Sequence, residues 1–144
     1  SAHIIVEKID PKLPATLCEK IITDILRKEL RYSGIIFTDD MEMKAIADNF
    51  GEVDAAAMAL EAGCDILLYH TMPFVMKVFE PLLEKLTSPA GKKALKNLEL
   101  AAERVHAFKK EKFLPYTPVY IPEIVHVVGT KEHLDLAEEL VKYS

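Results

Sequence analysis

The run Gly34-Ile35-Ile36-Phe37-Thr38 leads straight into Asp39-Asp40. A short, continuous apolar run bounded by turn signals is the pattern of a strand buried on both faces, as in parallel sheets. A carboxylate pair at the end of such a strand is costly to desolvate unless something uses it. A second run of the same kind, Asp65 to Tyr69, follows downstream. Between the two lies an alanine-rich helical pattern, Val53 to Ala62, closed by Gly63 at the position where helices favour a left-handed residue. Strand, helix and strand at this spacing form a βαβ unit, and hence a parallel sheet.

The same alternation extends outward. Ala2 to Val6 reads as a short strand, broken by Asp10-Pro11 and Leu13-Pro14. Thr16-Leu17-Cys18-Glu19 fits a capping box, predicting a helix from Thr16 to about Leu30 with Ile21, Ile22, Ile25 and Leu26 on its apolar face. Met72-Pro73 opens another helix, which Pro81 is expected to kink or restart. After the turn at Ser88-Pro89-Ala90-Gly91, an amphipathic helix spans about Lys92 to Lys112. Leu114 to Pro122 holds three prolines and reads as an extended linker. Ile124 to Val128 reads as a short strand, and Thr130 caps a last helix, Lys131 to Lys142. An eight-stranded barrel takes roughly 250 residues. With too few strands for that, the chain is either a small open α/β domain or a piece of something larger.

Composition narrows the partners. Half of the 144 residues are hydrophobic, 28% are charged and the formal net charge is -5. That balance fits a soluble globular protein and argues against nucleic acid and anionic membranes. No apolar run approaches the roughly 20 residues that span a bilayer, and the opening segment lacks the charged start of a secretory leader. Cys18 and Cys64, without CxxC spacing, read as buried thiols of a reducing, cytoplasmic compartment. The spacing supports no metal ligand set and no cofactor.

In parallel α/β architectures the reactive groups sit at the C-terminal ends of strands. Three successive strand ends here carry His3, Asp39-Asp40 and Tyr69-His70. A carboxylate at such an end serves as nucleophile, general base or metal ligand. The plainer alternative is that Asp40 caps the next helix and Asp39 is solvated. Alternation groups Asp39 with Ile35 and Phe37, and Asp40 with Ile36 and Thr38, so both faces are apolar and neither acid is singled out. A Mg²⁺-binding acid pair in a regulatory module is a further reading, but it needs another carboxylate and a lysine at neighbouring strand ends. His70 is a candidate ligand contact, whereas His106, His126 and His133 lie outside any acidic constellation. Met41 and Met43 read as core filler, with pocket lining as the alternative.

The segment from Pro14 to Ile46, "PATLCEKIITDILRKELRYSGIIFTDDMEMKAI", resembles the nucleophile region of glycoside hydrolase family 3 of the β-N-acetylglucosaminidase type. Members of that type read P-A-(S/T)-L-S, then L-R-x-E-L-G-F-x-G, then (S/T)-D-D-L-x-M. "AAAMALEAGCDILLY" resembles their next helix and strand, "SAHI" the end of the preceding strand, and "VGTKEHLDLAEELVKYS" the start of a second α/β sandwich domain. The resemblance implies a partial (β/α)8 TIM barrel over residues 1–113, covering the last three βα units, then a linker over 114–123 and the start of the second domain over 124–144. It implies that Asp39 is the nucleophile of a retaining β-glycosidase, with Asp40 and Thr38 in support and His3 and Met43 lining the sugar. It also places the acid/base residue outside these 144 residues. The chain alone is therefore expected to be inactive, and to associate with the rest of its barrel or with itself. Four positions depart from the pattern: Cys18 for Ser, Met41 for Leu, and Arg31-Tyr32 for Gly-Phe, which predicts either mild strain at Arg31 or a different turn.

Overall fold

A computed structural model describes residues 1–118, 121–124 and 126–143. The backbone forms two units, Ser1–Lys112 and Phe113–Ser144. The first is mixed α/β, and its centre is a parallel pair, β1 (Phe37–Asp40) and β2 (Ile66–Leu68). Two helices connect the strands, α1 (Lys44–Phe50) and α2 (Glu52–Ala62), and α3 (Met72–Thr87) and α4 (Lys92–Phe113) follow. Gly51, at φ 74°, separates α1 from α2, and Gly63, at φ 105°, ends α2 in the left-handed region. The alanine pattern works as expected: Ala55 and Ala59 are fully buried and let α2 lie close to Ile22, Ile36, Met41 and Ile46 in the main core. A second cluster joins Leu60, Leu86 and Ala94. Both cysteines are free and buried.

Several elements differ from the sequence expectation. The ladder begins at Phe37 rather than Gly34, because side chains take up the polar groups before it. Arg27 donates to the Gly34 carbonyl at 2.6 Å, Tyr32 Oη to the Ile35 carbonyl at 3.3 Å, and the Ile36 N–H donates to Asp65 Oδ2 at 2.8 Å. The strands are also not covered on both faces, since Phe37 is 49% and Leu68 46% exposed. Ala2–Val6 forms no strand. It makes an isolated antiparallel bridge, Ile5 to Pro14, because Asp10 accepts the Lys12 and Leu13 N–H groups and folds the segment back.

The capping box at Thr16 does not form. Thr16 is fully buried and its hydroxyl meets Ser1 Oγ and His3 Nδ1. A 3₁₀ turn, Ala15–Leu17, precedes a π-helix, Lys20–Glu29, and Glu19 reaches Lys93 instead of a helix N–H. Arg31 takes φ 55°, the strained conformation expected where glycine is replaced. Helix α3 runs through Pro81 without restarting. In α4 Ala94 and Ala101 are buried, Leu95 and Leu98 pack half-buried against the second cluster, and Phe108 is 40% exposed.

In the second unit α5 (Ile121–Ile124) and α6 (Lys131–Val141) are helical. The strand expected over Ile124–Val128 is not seen: Ile124 ends α5, Val125 lies outside the described residues, and 126–129 are turn and bend. Pro122 suits a first helical turn, where no N–H is needed, and a lone strand has nothing to pair with. Thr130 caps α6 as expected, accepting the His133 N–H. Among the described residues no helix is long and apolar enough to cross a membrane.

Candidate active site

The ladder between β1 and β2 pairs Phe37 with Ile66 and Asp40 with Leu68. Three steps on β1 are therefore matched by two on β2. This is a bulge, the one-residue insertion that re-aims side chains beside functional sites. Beside the insertion, Thr38 Oγ1 accepts the Leu68 N–H at 2.9 Å. The Met41 N–H then donates to the Leu68 carbonyl at 2.9 Å and resumes the ladder. Thr38, buried at 3% exposure, thus ties β1 to β2 through its side chain at the bulge.

The bulge gives the adjacent acids different surroundings. Both oxygens of Asp40 are engaged: Oδ1 accepts the Glu42 N–H at 3.0 Å, and Oδ2 lies 2.6 Å from His70 Nδ1. Asp40 does not cap α1, whose N-cap is Met43. Among the described residues Asp39 accepts one hydrogen bond, at Oδ1 from the Asp40 N–H at 2.9 Å, and its other oxygen takes none. Sequence alternation could not separate these two acids; their hydrogen bonds do.

His3 lies where the sequence expectation placed it, beside the acid pair, although not on a strand. Its Nε2 is 2.9 Å from the Asp40 carbonyl, which only accepts, so Nε2 carries the proton. In the neutral ring Nδ1 then accepts from the Thr16 hydroxyl at 3.1 Å. The Asp40 peptide is thereby held from the side opposite β2. Met43 is 44% exposed, whereas Met41 is buried in the core. Tyr69 packs on Phe74, with ring centroids 5.7 Å apart, and does not join the acids. Its buried hydroxyl has no partner among the described residues and is pushed up to about 12 by burial, with Glu42 and Glu52 adding to the shift.

Glu42 is the residue that sequence reasoning missed. Its side chain is only 8% exposed. Oε1 accepts the N–H groups of His70 and Thr71 at 3.0 and 2.7 Å, and Oε2 accepts the Thr71 hydroxyl at 2.8 Å. It caps the start of α3 from another loop, in a place favoured by the helix dipole. No local spacing reveals a cap donated from 28 or 29 residues away. Asp40, Glu42 and His70 now form one group whose ligating atoms lie within 4.8 Å of one another.

This arrangement can supply an uncommitted carboxylate at a strand end, held in place by a peptide fixed on both sides. The profile of the glycosyl hydrolase family 3 N-terminal domain matches residues 1–108. "Beta-hexosaminidase A" of Pseudoalteromonas piscicida is 31% identical over 133 residues, 88% of this chain and 22% of that protein. The crystal structure of a β-N-acetylhexosaminidase from Beutenbergia cavernae superposes with TM-score 0.66 at 30% identity, over 74% of this chain and 31% of that one. CbsA from Thermotoga neapolitana gives TM-score 0.64 at 31% identity, over 74% and 24%. The chain spans between about a fifth and a third of the length of these relatives. With the profile covering most of its length, this chain belongs to glycosyl hydrolase family 3, within the N-terminal domain of that family.

Proposed function

We propose that Ser1–Lys112 is the closing part of a (β/α)8 barrel, and that it carries the nucleophile side of a retaining β-glycosidase acting on terminal β-linked N-acetylglucosamine or a related sugar. Asp39 is the nucleophile. Its free carboxylate oxygen bonds to the anomeric carbon as the glycosidic C–O bond breaks, and an acid/base group outside these 144 residues protonates the departing oxygen. Water, deprotonated by the same group, then displaces Asp39 with net retention. Thr38 sets the bulge, Asp40 and His3 hold the strand end, and Met43 lies on the sugar side.

The observation that carries this reading is the asymmetry of the pair: Asp39 keeps an uncommitted oxygen while Asp40 is fully engaged. The hexosaminidase names of the relatives support the sugar class. The apolar surface at β2 and α3, with Leu68, Phe79 and Leu83 each about half exposed, is what a barrel lacking its neighbouring unit leaves uncovered. The Mg²⁺-module reading has less support, because Asp40 turns to His70 and Glu42 instead of sharing a site with Asp39.

The test uses the polypeptide that carries both this sequence and the acid/base group. A slow fluorosugar substrate should add one sugar mass to the peptide containing Asp39. Asp39→Ala should abolish the label and lower hydrolysis of an aryl β-N-acetylglucosaminide by about 10³-fold or more. Label on another residue would overturn the assignment. The 144-residue chain alone should hydrolyse nothing above buffer, since a general acid contributes about 10²–10⁴-fold.

A further inference from the structure

Two carboxylates that approach within 4.8 Å repel one another, and a positive charge between them relieves the repulsion. Asp40 is 25% and Glu42 8% exposed, so water screens them poorly. Arginine and lysine ion pairs of the first unit lie elsewhere, for example Lys77 with Glu52 and Arg104 with Asp65. Among the described residues the only cationic partner facing this pair is His70, which is charged only when protonated. Its Nδ1 is 2.6 Å from Asp40 Oδ2 and its Nε2 3.5 Å from Glu42 Oε2.

The two carboxylates are held alike. In each, main-chain N–H groups anchor one oxygen: Glu42 N–H on Asp40 Oδ1, and His70 and Thr71 N–H on Glu42 Oε1. The other oxygen of each faces the imidazole, and Glu42 Oε2 also accepts the Thr71 hydroxyl at 2.8 Å. Anchoring one oxygen so that the other is presented is how outer hydrogen bonds orient metal ligands. One nitrogen with two carboxylate oxygens suits a borderline divalent ion such as Zn²⁺, which takes three protein ligands and water, better than Mg²⁺, which prefers oxygen alone.

We propose that Asp40, Glu42 and His70 form a binding site for a divalent transition metal, joining the loop after β1 to the loop after β2. The sequence set His70 at the strand end next to the acid pair, but it gave Glu42 no place in the site. It does not depend on the glycosidase reading, because it makes no use of Asp39 or of any sugar.

The test is titration calorimetry of the 144-residue chain with ZnCl₂. One Zn²⁺ per chain is expected, with His70→Ala weakening it at least about 10-fold, the scale on which a single ligand-shell change acts. His70 is exposed, so this variant should leave the fold intact, as circular dichroism can verify. Glu42→Gln keeps a carbonyl for the Thr71 N–H and should also weaken binding. With Co²⁺ in place of Zn²⁺, visible absorption should appear and be lost in His70→Ala. The proposal is overturned if the wild-type chain takes up no Zn²⁺ at 100-fold excess, or if His70→Ala and Glu42→Gln both bind as the wild type does. Displacement of Zn²⁺ by equimolar Mg²⁺ would overturn the mixed-donor assignment.

Discussion

The two ends of the β1–β2 pair each hold buried acid, and they treat it in opposite ways. At the N-terminal end Asp65, whose side chain is fully buried, is paired with Arg27 and Arg104 and accepts the Ile36 N–H. Its charge is matched by two guanidinium groups that stay charged at any working pH. At the C-terminal end Asp39, Asp40 and Glu42 meet a single histidine and a set of N–H groups. The first end ties the π-helix, both strands and α4 into one body. The second leaves one carboxylate oxygen uncommitted. Permanent counter-charges make an acid structural, and their absence leaves it open to chemistry.

That contrast can be broken or sharpened by substitution. The largest stability effect should come from Asp65→Asn, which strands two guanidinium groups. Removing one partner of a buried ion pair costs about 3–5 kcal/mol, with the lower end expected here because Arg104 is 32% exposed. Urea unfolding measures it, and a loss under 1 kcal/mol would mean that the N-terminal end is no hub. Thr38→Val keeps the side-chain shape but leaves the Leu68 N–H without its acceptor, a loss of about 1–3 kcal/mol in the same assay. Arg31→Gly should stabilise the chain by about 0.5–1 kcal/mol, by relieving the positive φ beside the Arg27 end. Asp39→Asn should shift the unfolding midpoint least, within about 0.5 kcal/mol, since Asp39 holds only its neighbour's N–H.

A chemical probe separates interior from rim in another way. Burial pushes the Cys64 thiol up to about 11, and both thiols are packed away from solvent. In the native chain neither should react with a disulfide reagent at pH 8, and both should react at once in urea. The raised value also sets a sign. The neutral thiol is the form the fold prefers, so this contribution is intact below the unfolded value near 9. It is lost as pH rises from there through about 11.

Much of the fold could be read from local pattern. The apolar runs, the alanine helix, Gly63 and the Thr130 cap act within a few residues, and they fall where the pattern put them, give or take a turn. Several of the misreadings share one cause, which is that a distant group claimed what looked like a local one. Thr16 reads as a cap and instead meets His3. The start of β1 reads as ladder, but Arg27, Tyr32 and Asp65 hold it. Phe37 and Leu68 look buried in sequence and are only half covered. At the candidate site the acid pair and its neighbours His3 and Thr38 were legible. Glu42 was not, because its partners lie on the loop after β2.

The bulge at Thr38 carries a last consequence. A regular strand sends consecutive side chains to opposite faces, so adjacent acids would be divided between the two faces of the sheet. Spending three residues against two interrupts that count just before the acids. Deleting one residue there would set two steps on β1 against two on β2 and restore a regular ladder. It would also turn the acids out of phase with the surfaces they serve. Phase along the strand therefore decides which surface each acid serves, and Thr38 is the side chain that holds that phase.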